Sequence, residues 1–121
     1  CYDYIFVDDF SRIVEKLIKN SPKIKVLNVT PNESTDLISI NNIIQKLLNI
    51  DTGFKLLKEG YGREYTGDNT NLLKGIGDFK FTPIEKSIAD LLSYYSKNIH
   101  LLDKDELLND QFLEHAKKIN Q

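Results

Sequence analysis

The chain has no methionine and no tryptophan, and in 121 residues it has one cysteine, two histidines, three prolines and six glycines. A lone thiol, Cys1, can form no internal disulfide, so nothing calls for an oxidising compartment. The histidines, His100 and His115, have no cysteine or carboxylate at metal-ligand spacing, and they read as solvated surface groups. No Gly-x-Ser-x-Gly elbow and no P-loop occurs. No apolar run approaches the length of a membrane span and no signal peptide is visible, so no membrane partner and a cytoplasmic location are expected. Charge of one sign is lacking too: 16 basic residues stand against 18 acidic ones, for a net −2. With the lysines spread along the chain, nucleic acid is not an expected partner.

What remains is ordinary globular usage, 40% hydrophobic and 28% charged, in a chain long enough to bury a core without a staple. The opening residues Cys1 to Val7 lack methionine and already look like a strand, which reads as a fragment cut from a longer protein.

Periodicity predicts alternating elements. Tyr2–Val7, aromatic and β-branched, is predicted as a buried strand. Asp8 or Asp9 then caps a helix whose apolar face is Phe10, Ile13, Val14, Leu17 and Ile18, ended by Asn20-Ser21-Pro22. A second strand is predicted at Ile24–Val29 and a loop at Thr30–Thr35. Leu37-Ile38 is expected as a short extended piece before Ser39 caps a helix bearing Ile40, Ile43, Ile44, Leu47 and Leu48. Asp51-Thr52-Gly53 breaks the chain, and Phe54–Leu57 is a third candidate strand. After the loop with Gly60, Gly62 and Gly67, Leu72 and Leu73 sit in a short helix that Gly75 stops. Thr82-Pro83-Ile84-Glu85 is a strong helix start, with threonine as cap, proline first and glutamate three after the cap. The face of that helix is Ile84, Ile88, Leu91, Leu92 and Tyr95. Asp103 with Glu106 caps a last helix carrying Leu108, Phe112, Ala116 and Ile119. The fold class implied is α/β, or α+β for an isolated fragment, with a few short strands and about four to five helices.

Candidate chemistry is thin. Gly75-Ile76-Gly77 begins a dinucleotide fingerprint, but Lys80 stands at its third glycine and a helix precedes it in place of a strand, so a helix stop is the better reading. Asp8-Asp9 is a carboxylate pair that capping and the helix dipole explain. Arg63 is the best site residue. Glycines flank it, and its guanidinium suits a phosphate or diphosphate. Tyr65 offers a ring and a hydroxyl, and Asp68 or Asn69 could bond sugar hydroxyls. Against this stands a plain surface reading: Arg63 paired with Glu59 or Glu64, and Asp68-Asn69 capping the short helix.

Three segments together resemble the C-terminal half of an extended short-chain dehydrogenase/reductase of the NAD-dependent epimerase/dehydratase family. They are Tyr2–Phe10, an aromatic strand ending in Val7-Asp8-Asp9; Lys25–Ser34, a strand with Asn28 and its following loop; and Arg63–Ile88, with Asp68, Gly77-Asp78-Phe79 and Pro83-Ile84-Glu85. The likeness covers about residues 2–98. It implies a substrate-binding lobe over 1–98, with an appended helix at 99–121 and Lys97–Leu102 as linker. It implies a nucleotide-sugar substrate, with Arg63 at the position of the arginine that several members use on the nucleotide diphosphate and Tyr65 and Asp68 as the adjacent binding candidates, and a missing N-terminal Rossmann domain as partner. No tyrosine here has a lysine four residues on, so neither catalytic residues nor a cofactor site are expected in this chain. NAD(P) is implied for the parent alone, an enzyme, while this fragment is not one. The alternative is a non-catalytic interaction module. Both predict an exposed apolar face, which is also compatible with a homodimer.

Overall fold

A computed structural model describes residues 1–23, 26–53 and 64–105. The described residues form four α-helices and one turn of 3-10 helix: α1 (Val7–Asn20), α2 (Leu37–Leu48), α3 (Thr70–Ile76), α4 (Ile84–Lys97) and the turn Ile99–Leu101. The chain divides into two compact units, Cys1–Asp90 and Leu91–Gln121.

The α/β expectation is overturned. Among the described residues there is no strand and no sheet, only two isolated bridges, Tyr2 with Thr35 (antiparallel) and Tyr2 with Tyr65 (parallel). The aromatic and β-branched run at Tyr2–Val7 is extended only as far as Phe6, and Val7 already begins α1. Of the second expected strand, Ile24–Val29, residues 26–29 likewise carry no ladder, and residues 24–25 lie outside the described ones. The strand-like signal nevertheless reports something real. Leu27 and Val29 pack toward the core while Val26 and Asn28 are exposed, the period-two alternation of extended backbone;. Composition predicts extension and a buried face, but a strand exists only where a neighbour takes up its N–H and C=O groups. The third candidate strand, Phe54–Leu57, lies outside the described residues.

The core of the first unit is small. Ile13 of α1 meets Leu72 and Ile76 of α3, all three essentially inaccessible, and Ile5, Leu17, Leu27, Val29, Phe79 and Phe81 close around them. Ile88 is buried on α4. Of the predicted apolar face of α1, Ile13 and Leu17 turn inward, whereas Phe10, Val14 and Ile18 stay exposed. The reason is a polar edge beside that face: Asp9, Arg12, Lys16 and Asn20 recur at helical spacing and all bond residues 75–82. This edge fixes how α1 is rotated against its neighbour.

Caps differ from expectation in instructive ways. Helix α1 has Phe6 at its N-cap with no side-chain bond, so neither Asp8 nor Asp9 caps it. It ends at Ser21, left-handed at φ 43°, whose N–H donates to the Leu17 carbonyl at 2.9 Å. Helix α2 begins two residues before the predicted cap. Asp36, not Ser39, is the N-cap, and its carboxylate accepts the Ser39 N–H at 2.8 Å and the Ser39 hydroxyl at 2.7 Å. The predicted face of α2 has no fully buried member. Helix α3 runs through Gly75 and stops at Gly77, whose φ of 74° suits glycine;. Gly75 serves packing instead: a Cβ there would lie 3.3 Å from the Pro22 side chain.

In the second unit, the Tyr94 and Tyr95 rings meet edge-on at 5.5 Å, and Asn98 donates its side-chain amide to the Tyr94 carbonyl at 2.8 Å. The Asp103 carboxylate accepts the Asp105 N–H at 2.9 Å, the bond a cap makes;. Glu106 and the rest of the predicted last helix, with His115, lie outside the described residues. Among the described residues no helix is long and apolar enough to cross a membrane.

Candidate functional site

The first unit carries an open cleft of about 790 Å³. One side is the loop residues Pro31, Asn32, Glu33 and Thr35. The other is the connector from α3 to α4, Gly77 to Pro83, with Leu73, Tyr4 and Ile84 completing the lining. The walls are mixed in character: Tyr4, Phe79, Phe81 and two prolines supply apolar surface, and Glu33, Asp78 and Lys80 supply charge of both signs. Burial, together with the neighbouring Tyr2 phenol, pushes the Tyr4 hydroxyl above its ordinary range;.

Asp9 sits behind the connector, only 1% exposed. Its carboxylate accepts the Thr82 N–H and the Thr82 hydroxyl, both at 2.7 Å, and pairs with the Arg12 guanidinium. Arg12 also lies over the Phe79 ring, 4.8 Å from its centroid, and donates to the Lys80 carbonyl at 3.3 Å;. Burial alone would raise the pKa of Asp9. The Thr82 N–H, the Arg12 and Thr82 side-chain bonds and the Arg12 charge outweigh it and hold the carboxylate below its ordinary value;. Lys16 reaches the carbonyls of Ile76 and Asp78, both at 3.4 Å, placing a cation at the C-terminal end of α3 where the helix dipole favours it;. Asn20 donates to Gly75 at 3.2 Å.

The loop leading into α3 is clamped from two sides. Asp3 accepts the Gly67 N–H at 2.6 Å, and Thr30 donates its hydroxyl to the Gly67 carbonyl at 3.2 Å. Asn28 donates to the Asp68 carbonyl at 3.1 Å, and Asn69 returns its side-chain amide to the Thr30 carbonyl and to Asn32, both at 3.0 Å. A Cβ on Gly67 would come 3.1 Å from the Thr30 methyl and 3.6 Å from Asn28. Gly67→Ala is therefore expected to destabilise the fold by about 1 kcal/mol through overpacking, read as a lower urea midpoint; an unchanged midpoint would mean that the clamp is loose.

Of the residues singled out by sequence, Arg63 lies outside the described ones. Tyr65 is 82% exposed, and its backbone N–H donates to the Cys1 carbonyl at 3.1 Å. Asp68 spends its carboxylate on Thr70, whose N–H it accepts at 2.8 Å, and Thr70 holds it below the usual carboxylate range. Neither Tyr65 nor Asp68 lines the cleft. Asp8 is exposed, while Asp9 is the tertiary anchor. Thr82, expected as a cap, gives its hydroxyl to Asp9, and the Pro83 carbonyl takes the Ser87 N–H that opens α4. The sequence reasoning missed Asp3, Asn28 and Thr30 as clamps. Only the Asn28-x-Thr30 spacing, two polar side chains on one side of an extended run, hinted at them. Among the described residues no group of three or more metal-ligating side chains comes together. No protein-family model, no curated protein and no solved structure matches the chain.

Proposed function

We propose that this chain is the substrate-gripping lobe of an NAD(P)-dependent epimerase, dehydratase or reductase acting on nucleotide sugars, and that its working partner is a Rossmann domain carried elsewhere in a parent protein. One observation supports this above others: the three separate segments that carry the family likeness bond to one another. Asp9 of the first holds Thr82, next to Pro83-Ile84-Glu85 of the third, while Asn28 and Thr30 of the second hold Gly67 and Asp68 of the third.

The chain's own residues do not fit an NAD(P) cradle. Gly75-Ile76-Gly77 closes a helix and does not follow a strand;, and no Tyr-x-x-x-Lys pair occurs. The cofactor and the chemistry would therefore belong to the partner domain, in the cytoplasm. This lobe would contribute the Arg63 loop as an anion contact, with Tyr65 beside it as a stacking surface.

The alternative reading, a non-catalytic interaction module, draws on the exposed apolar stripe Val7, Phe10, Val14 and Ile18 along α1. Both readings need that stripe covered; they part at the loop. Coding sequence upstream of Cys1 is expected to contain a glycine-rich strand-loop-helix and a Tyr-x-x-x-Lys pair, and their absence would overturn the enzyme reading. In the protein bearing that domain, UDP-glucose and GDP-mannose serve as probes. Arg63→Ala is expected to weaken binding of the accepted nucleotide sugar by roughly tenfold or more, the loss of one bidentate charged contact. Binding unchanged by that substitution would remove Arg63 from the site.

A further inference from the structure

The connector wall of the cleft is anchored from one side only. Among the described residues, every hydrogen bond that ties residues 78–82 to the rest of the fold runs to α1: Lys16 to the Asp78 carbonyl, Arg12 to the Lys80 carbonyl, and Asp9 to the N–H and hydroxyl of Thr82. The first two are long, 3.4 and 3.3 Å, at the weak end of hydrogen-bond geometry;. The Asp9 contacts are short and charge-assisted, and the carboxylate that makes them is itself buried;. Phe79 and Phe81 pin the middle of the connector to the core by packing. The polar hold on its far end, where it enters α4, is therefore Asp9 alone.

An ionised carboxylate only accepts hydrogen bonds, whereas a protonated one must also donate. Thr82 presents two donors to it, the N–H and the hydroxyl as they stand, and Arg12 presents a third. We propose that the Asp9–Thr82 pair is an acid-released latch: uptake of one proton by Asp9 frees Thr82 and the entry to α4 from α1, while the Ile13–Leu72–Ile76 contact stays closed. Because Thr82, Pro83 and Ile84 line the cleft, release alters that wall whether or not the cleft takes a sugar nucleotide. The charged groups around Asp9 are few. Arg12 faces it from α1, the connector offers Thr82, and neither the Lys80 nor the Glu85 side chain bonds it among the described residues. The balance is one proton taken from water and one carboxylate neutralised, with the Arg12 charge left uncompensated. Since the native carboxylate is held below its ordinary value, the midpoint of release lies below the usual aspartate value of about 3.9.

The test is a pH titration of this chain followed by two-dimensional NMR. The Thr82 amide is expected to move with the Asp9 carboxyl carbon along one titration curve, while the methyl signals of Ile13, Leu72 and Ile76 hold their positions to lower pH. A single transition in which the core methyls move with Thr82 would overturn the proposal, as would a Thr82 amide that ignores Asp9. Asp9→Asn is expected to put the Thr82 amide in its acid-form position at neutral pH and to remove its titration. If that variant fails to fold, Thr82→Val decides the matter. Losing the hydroxyl bond should shift the Asp9 titration upward, and a midpoint equal to that of the native chain would also sink the latch.

Discussion

Leu72→Ala is expected to cost the fold about 3 kcal/mol, and for a domain of this size to lower the thermal midpoint by roughly 10–20 °C. Leu72 has no accessible surface and stands between Ile13 and Ile76. Its methine carbon and two methyls would vanish from a cluster with only three fully buried apolar members among the described residues. A large core spreads such a loss over many neighbours; here the apolar contact between α1 and α3 is small, and the Lys16 and Asn20 bonds to the end of α3 cannot replace it. Circular dichroism melting of the variant beside the native chain measures the effect. A drop of less than about 3 °C would show that α1 and α3 do not depend on this contact.

Asp9→Ala is expected to cost a similar amount, about 2–4 kcal/mol at neutral pH, by a different route. It leaves the Thr82 N–H and hydroxyl without their acceptor at a part-buried site, and unmade bonds of that kind cost more than made ones gain;. The pH dependence separates the two variants. Asp9 is depressed in the folded chain, so the stability it supplies is present above the unfolded aspartate pKa and is lost as pH falls through the lower, folded value;. The gap between native chain and Asp9→Ala should therefore be full at pH 7 and narrow below about pH 3.9, whereas the Leu72→Ala gap should not depend on Asp9 at all. Urea unfolding at the two pH values reads both, and a constant gap for Asp9→Ala would contradict the buried charged role.

These two residues also mark where the sequence was legible and where it was not. Leu72 belongs to a local pattern: helices α1, α2, α3 and α4 are visible in apolar spacing because a helix satisfies its own backbone and needs no distant partner. Tyr2–Val7 and residues 26–29 have the composition of strands without forming any, because pairing is a tertiary fact. The same residues that favour a ladder also make a good half-buried extended segment, and nothing local tells the two apart. Asp9 looks like a capping residue in the sequence because the residue it serves, Thr82, lies 73 positions away. Capping is the commoner fate of an aspartate after an extended run, and only the packing of α1 against the connector reveals the other. In the loop that contains Tyr65 and Asp68, the glycines suggest room for a ligand. At Gly67 that room is taken by the chain's own Thr30. Flexible residue types mark close approach, but not whose atoms approach.

Tyr2 pairs its backbone with both Thr35 and Tyr65, and its neighbour Asp3 receives the Gly67 N–H from 64 positions along the chain. Closing long loops costs entropy that grows only with the logarithm of their length, so equilibrium stability hardly registers the distance. Kinetics do register it. Contacts of this separation raise the barrier that the chain must cross, while helices such as α1 and α2 assemble from neighbours. Pairing of residues 1–3 with the loops before α2 and α3 is therefore expected to weigh more on the folding rate than on equilibrium stability;.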